Sequence, residues 1–94
     1  MTRSGAVGKH VVVHGTVQGV GFRAWTEREA RALHLVGWVK NAADGTVECM
    51  LQGEEQNVFQ MLDVLRRGPQ LASVERIEVT EAAIERTGSF RITR

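Results

Sequence analysis

The stretch His10-Val-Val-Val-His-Gly-Thr-Val-Gln-Gly-Val-Gly-Phe-Arg23 passes from one structural pattern to another within fourteen residues. Its β-branched run between Gly8 and Gly15 favours a strand buried on at least one face. Gly15, Gly19 and Gly21 then interrupt the run, and glycines permit positive φ and close backbone approach, so successive N–H groups can turn inward on an anion. A helical period begins at Phe22, and a helix start adds unpaired N–H groups and the positive end of a dipole. Arg23 supplies a planar donor fork suited to two oxygens of one anion. Two readings stand on this pattern alone, a plain strand-to-helix connector and an anion cradle. A Walker loop is excluded, because no Lys-Ser/Thr pair opens the helix, and the glycine spacing does not match the dinucleotide fingerprint.

Outward from this stretch, Phe22, Trp25 or Thr26, Ala30 and Leu33 recur at helical spacing, which predicts an amphipathic helix over residues 22–34. Glu27 and Arg31 stand four apart in the favourable order. Leu35-Val-Gly-Trp-Val-Lys-Asn41 reads as a strand, Ala42-Ala-Asp-Gly45 as a hairpin turn, and residues 46–52 as the antiparallel partner. Alternation puts Gly37, Val39 and Asn41 on one face and Trp38 with Lys40 on the other. A second helix starts at Glu54 or Glu55 and ends at Arg67, with Val58, Met61, Leu62 and Leu65 as its stripe and Gly68-Pro69 as its stop. Residues 74–80 alternate as a half-buried strand, Val74, Arg76 and Glu78 against Glu75, Ile77 and Val79. Phe90-Arg-Ile-Thr93 is a short last strand, and Thr87-Gly-Ser89 marks a turn before it.

This order is βαββαβ plus a short C-terminal strand. Two helices must bury their stripes on one face of one sheet, and right-handed crossovers make the simplest solution an α+β fold, a ferredoxin-like split βαβ sandwich with an antiparallel sheet. At 94 residues with 43% hydrophobic content the chain suits one domain, expected over residues 9–94 after a loose tail at residues 1–8.

Twelve basic and eleven acidic residues leave a net charge of +1, which argues against nucleic acid or an anionic membrane as partner. Aromatics are 5% of the chain and Tyr is absent, so a stacking surface for RNA is not expected. No long apolar span or signal-peptide core occurs, and the lone Cys49, inside an apolar run, reads as a buried inert thiol. A cytoplasmic monomer is expected. No Cys/His spacing suggests zinc and no Cys-x-x-Cys loop suggests a metal carrier. His10, His14 and His34 receive no role, and Trp25 and Trp38 read as packing residues, Trp38 covering the sheet near the site.

Val13-His-Gly-Thr-Val-Gln-Gly-Val-Gly-Phe-Arg23, Gly37-Trp-Val-Lys-Asn41, Asp44-Gly-Thr-Val47, Gln52-Gly53 and Gly68-Pro69 together resemble the acylphosphatase family in order, spacing and identity, with Asn41 eighteen residues after Arg23. The resemblance covers nearly the whole chain. It implies hydrolysis of the carboxyl-phosphate bond of a small-molecule acyl phosphate to a carboxylate and inorganic phosphate, with no metal or organic cofactor. The family's phosphate-binding arginine falls on Arg23 and its water-positioning asparagine on Asn41. Its phosphate-binding loop falls on Gly15, Thr16, Val17, Gln18, Gly19, Val20, Gly21, Phe22 and Arg23, where inorganic phosphate or a similar anion would sit. Gln18 is a loop residue in this reading, and Gly21 makes the loop more flexible. Where many relatives carry Thr after the asparagine, this chain has Ala42. Without the resemblance Asn41 reads as a residue leading into the Asp44-Gly45 turn. A binding module, whose sheet face holds RNA or whose cradle senses a small anion without turning it over, is the reading from another class. The chain also resembles the N-terminal module of larger hydrogenase-maturation carbamoyltransferases, but its end at Arg94 favours a free-standing enzyme.

Overall fold

In the computed structural model, which describes residues 5–94, the elements run β1 (Ala6–Thr16), α1 (Phe22–Ala32), β2 (Val36–Asn41), β3 (Val47–Glu54), α2 (Glu55–Arg67), β4 (Ser73–Glu81) and β5 (Phe90–Ile92). The sheet order is β4-β1-β3-β2-β5, and both helices pack on one face of it, giving the ferredoxin-like α+β fold. Val11 and Val13 of β1 and Val47, Cys49 and Leu51 of β3 form the sheet side of the core, fully buried. Val58, Met61 and Leu65 of α2 and Phe22 and Ala30 of α1 close over them. Full burial of a side chain such as Leu65 is worth about 1.5–3 kcal/mol.

Three expectations need correction. Ala6, Val7 and Gly8, placed in a loose tail, pair with Glu54, Gly53 and Gln52 and extend β1; the tail's residues 1–4 lie outside the described residues. The sheet is mixed, not antiparallel throughout, because β5 pairs parallel to β2 at Gly37↔Phe90 and Val39↔Ile92. In β4 the simple alternation breaks: His14 pairs with Arg76 and Gly15 with Val74, leaving Glu75 as an extra residue. That bulge resets the phase, so Val74 and Ile77 both pack against the core.

Helix α1 stops before residue 34 because His34 adopts a left-handed φ of 60°. Its N–H bonds the Arg31 carbonyl at 3.0 Å and the Leu35 N–H bonds the Ala30 carbonyl at 2.9 Å, the reciprocal pattern that ends many helices.

Strands β4 and β5 lie at opposite sheet edges, and residues 82–89 join them across the face that carries no helix. The Ala82 N–H donates to the Gly8 carbonyl at 3.0 Å. Buried Gln52, on that face, donates through Nε2 to the Glu85 carbonyl at 3.1 Å and accepts the Glu85 N–H on Oε1. His10 and His14 share this face, and the sheet supplies both with carboxylates that the sequence pattern did not suggest. Glu48 stands 3.4 Å from His10 and Glu78 stands 3.1 Å from His14. Its hydrogen bond to His14 holds the Glu78 carboxyl below the usual range. Trp38 also lies here, edge-on to His10 with centroids 6.0 Å apart, and away from the cleft described next.

Candidate active site

At the end of β1 the chain passes close under β4. A Cβ built on Gly15 would stand 2.1 Å from the Ser73 carbonyl oxygen, and φ there is 133°, so only glycine fits. Val17, 1% exposed, anchors the loop in the core. Gly19 and Gly21 then take φ of 76° and 78° with open space where a Cβ would be, so conformation alone selects glycine there. Gly21 is the left-handed N-cap of α1.

Helix α1 therefore starts with no side-chain cap and no acidic residue in its first turn. Its first internal bond runs from the Trp25 N–H to the Gly21 carbonyl at 3.1 Å. Among the described residues, no hydrogen bond within the protein uses an N–H of residues 18–24. Phe22 is buried and meets Trp25 edge-on with centroids 5.2 Å apart, which anchors the helix start in the core. Arg23 makes no ion pair or hydrogen bond to another described side chain.

Asn41 is the last residue of β2, opposite Val47. The turn after it is built on Asp44, whose Oδ1 accepts from the Thr46 hydroxyl at 2.6 Å and from the Thr46 N–H at 3.0 Å. These bonds, the hydroxyl first, hold the Asp44 carboxyl below the ordinary carboxylate range. The Ala42 N–H closes the hairpin onto the Thr46 carbonyl at 2.9 Å.

Arg23 and Asn41 line one open cleft of about 220 Å³ together with Val17, Gly19, Gly21 and Phe22. Gly15, Thr16, Gln18 and Val20, also expected in the loop, do not line it. Gln18 is turned toward the hairpin, and its Nε2 donates to the carbonyls of Ala42 and Thr46 at 2.8 Å each. Ala24 and Ile92 complete the lining and were not foreseen. Ile92 arrives through the parallel β2–β5 pairing, for which the local sequence carries no signal. A larger hollow of about 380 Å³ lies between Arg31, His34 and Phe90, but the Arg31 guanidinium is engaged by the Phe90 carbonyl at 2.9 Å. Among the described residues no three His, Cys, Asp or Glu side chains group to hold a metal.

The sequence profile of the acylphosphatase family matches residues 9–92. The chain belongs to the acylphosphatase family. It is 55% identical over 73 residues to an acylphosphatase of Alcanivorax borkumensis, covering 78% of this chain and 79% of that relative. Its structure is similar to that of an acylphosphatase from Coxiella burnetii, with a TM-score of 0.92 at 36% identity over 99% of this chain and 100% of the other. It is also similar to T. kodakarensis HypF, with a TM-score of 0.78 at 36% identity, over 89% of this chain but only 11% of HypF. Among the described residues of this acylphosphatase-family enzyme, the cleft presents one cation, one carboxamide and, beside them, a run of amides without a partner in the protein. Such groups can bind and orient an anion and a water.

Proposed function

We propose that the chain hydrolyses acyl phosphates to a carboxylate and inorganic phosphate, with the phosphoryl group held by the backbone N–H groups of residues 16–22 and by Arg23, and water oriented by Asn41. The observation that carries this reading is the meeting of Arg23 and Asn41, from separate elements, in the cleft beside the loop amides. Fixed amides and a guanidinium stabilise charge on the equatorial phosphoryl oxygens of the transition state without reorganising as it forms. The leaving carboxylate has a conjugate acid of pKa about 4, so it departs without a general acid. Asn41 cannot take a proton near neutrality, but its Oδ1 accepts a hydrogen bond from water and aims a lone pair at phosphorus. The water's proton passes to a phosphoryl oxygen of the substrate.

The reaction in this reading needs neither metal nor organic cofactor and runs in a monomer in a reducing cytoplasm. Cys49 takes no part: it is fully buried and its thiol is pushed up to about 12 by desolvation. Among the described residues no helix is long and apolar enough to cross a membrane. Phosphate release from a simple acyl phosphate such as acetyl phosphate tests the reading. Release is expected to be unchanged by chelator, and Asn41→Ala is expected to lower turnover while inorganic phosphate still inhibits. No release by folded protein favours a phosphate-sensing module instead, and chelator-sensitive release overturns the metal-free mechanism.

A further inference from the structure

The β1–β3 ladder ends at Val13↔Val47. Past that pair the two halves of the cleft separate, the loop following β1 and the hairpin joining β2 to β3. Among the described residues, only Gln18 makes hydrogen bonds between loop residues 17–21 and hairpin residues 42–46. Its carboxamide spends its two N–H donors on two carbonyls that face each other across the hairpin mouth, those of Ala42 and Thr46, both at 2.8 Å. Ala42 is the residue after Asn41, and its N–H is itself bonded to the Thr46 carbonyl at 2.9 Å. A shift of the loop against the hairpin would therefore break two good hydrogen bonds at once.

We propose that Gln18 is a positioning residue that holds the phosphate-binding loop in register with Asn41, so that the oriented water meets the bound phosphoryl group. This rests on the proposed acylphosphatase mechanism. The Gln18 side chain is turned from the cleft to the hairpin and acts through the hairpin backbone. Because the contact is to the residue 42 carbonyl, the clamp is indifferent to the side chain there, and Ala42 serves it as a larger residue would.

The test is Gln18→Met, which keeps length and removes both donors, compared with wild type, Asn41→Ala and the double variant. Turnover of acetyl phosphate by Gln18→Met is expected to fall roughly tenfold to a hundredfold, the scale of a small misplacement of reacting groups. Inhibition by inorganic phosphate should be unchanged, since loop and Arg23 remain. In the Asn41→Ala background the same substitution should cost nothing further, because both changes remove one function. Full turnover, a multiplicative loss in the double variant, or a matching loss of phosphate affinity would each overturn the assignment. Amide hydrogen exchange reads the clamp without catalysis: exchange should quicken at the Ala42, Gly45 and Thr46 amides of Gln18→Met, which hairpin hydrogen bonds hold in wild type, while α2 is unaffected. Unchanged exchange refutes the clamp even if the enzyme is active. A wild type that releases no phosphate, together with quickened hairpin exchange in Gln18→Met, refutes the reaction and not the clamp.

Discussion

The two helices lie on the same sheet and differ at their first turns. Helix α2 begins with Glu55, ends with Arg66 and Arg67, and buries five side chains, Val58, Met61, Leu62, Val64 and Leu65. Every one of these features suits a helix dipole and a core. Helix α1 begins at a left-handed glycine, carries Arg23 instead of an acid in its first turn, and buries three residues. One of those three is Thr26, whose Oγ1 is buried without a hydrogen-bond partner among the described residues. A cation at that end opposes the dipole, and its uncapped N–H groups are left to water or to an anion. Two helices of one protein thus divide the work: one obeys the local rules and supplies stability, the other departs from them where the cleft lies. Such departures concentrate at functional sites.

Substitutions can break this division. The largest expected effect is that of Arg23→Gln, which removes the one side-chain cation that lines the cleft among the described residues. Turnover should fall by about 10²–10³, the range for loss of one transition-state donor, with phosphate inhibition also lost and the melting temperature little changed. Retained activity would return Arg23 to the status of an ordinary surface residue. Leu65→Ala in α2 should do the converse. Deleting a fully buried leucine costs about 2–5 kcal/mol, read by urea unfolding, while turnover per folded molecule stays at the wild-type value. A smaller change sharpens the contrast further. Ala24→Glu gives α1 the acidic first turn that α2 has, and should add about 0.3–1 kcal/mol of stability while weakening inhibition by inorganic phosphate. Gain in both properties would refute the claim that the helix start is reserved for an anion.

The smallest effect concerns the hairpin that carries Asn41. Asp44 is more acidic in the folded chain than in the unfolded one, so its contribution is complete above the unfolded pKa of about 4 and disappears as pH falls through its lower folded value. The Thr46 hydrogen bonds should then loosen. Asp44→Asn should flatten that part of the acid side of the stability profile, and an unchanged profile would show that the turn holds without the carboxylate.

What could be read from the sequence was local. The stripe of α2, its stop at Gly68-Pro69 and the left-handed glycines of the loop follow from patterns within one turn or one period, and the structure places them as expected. Arg23 stands out within its own motif and Asn41 only through the family resemblance, and the structure brings the two to one cleft. Pairings between distant segments were not readable. Phe90 and Ile92 alternate identically in a parallel or an antiparallel strand, so β5's direction, and with it Ile92's place in the cleft, had no local signature. The bulge at Glu75 shows in the sequence only as a phase slip, apolar Val74 falling opposite Ile77 and Val79 in a regular strand, and it takes β1 alongside to turn that slip into an extra residue. The partners of His10 and His14 come from β3 and β4. Gln18 is the sharpest case, since nothing in a loop glutamine announces two carbonyls on another hairpin.

The crossing of residues 82–89 over the helix-free face bears on how the molecule assembles. Both outer strands come late in the chain, and each pairs with a strand far upstream, Lys9 with Glu81 and Val39 with Ile92. Contacts of such long sequence separation slow folding, because a large loop must close before any pairing rewards it. A nascent chain extending only to residue 72 would have β1 and β2 bare at the sheet's two sides, each offering unpaired backbone to a neighbouring chain. Sealing of the sheet and completion of the cleft wall by Ile92 therefore belong to the same late event of synthesis.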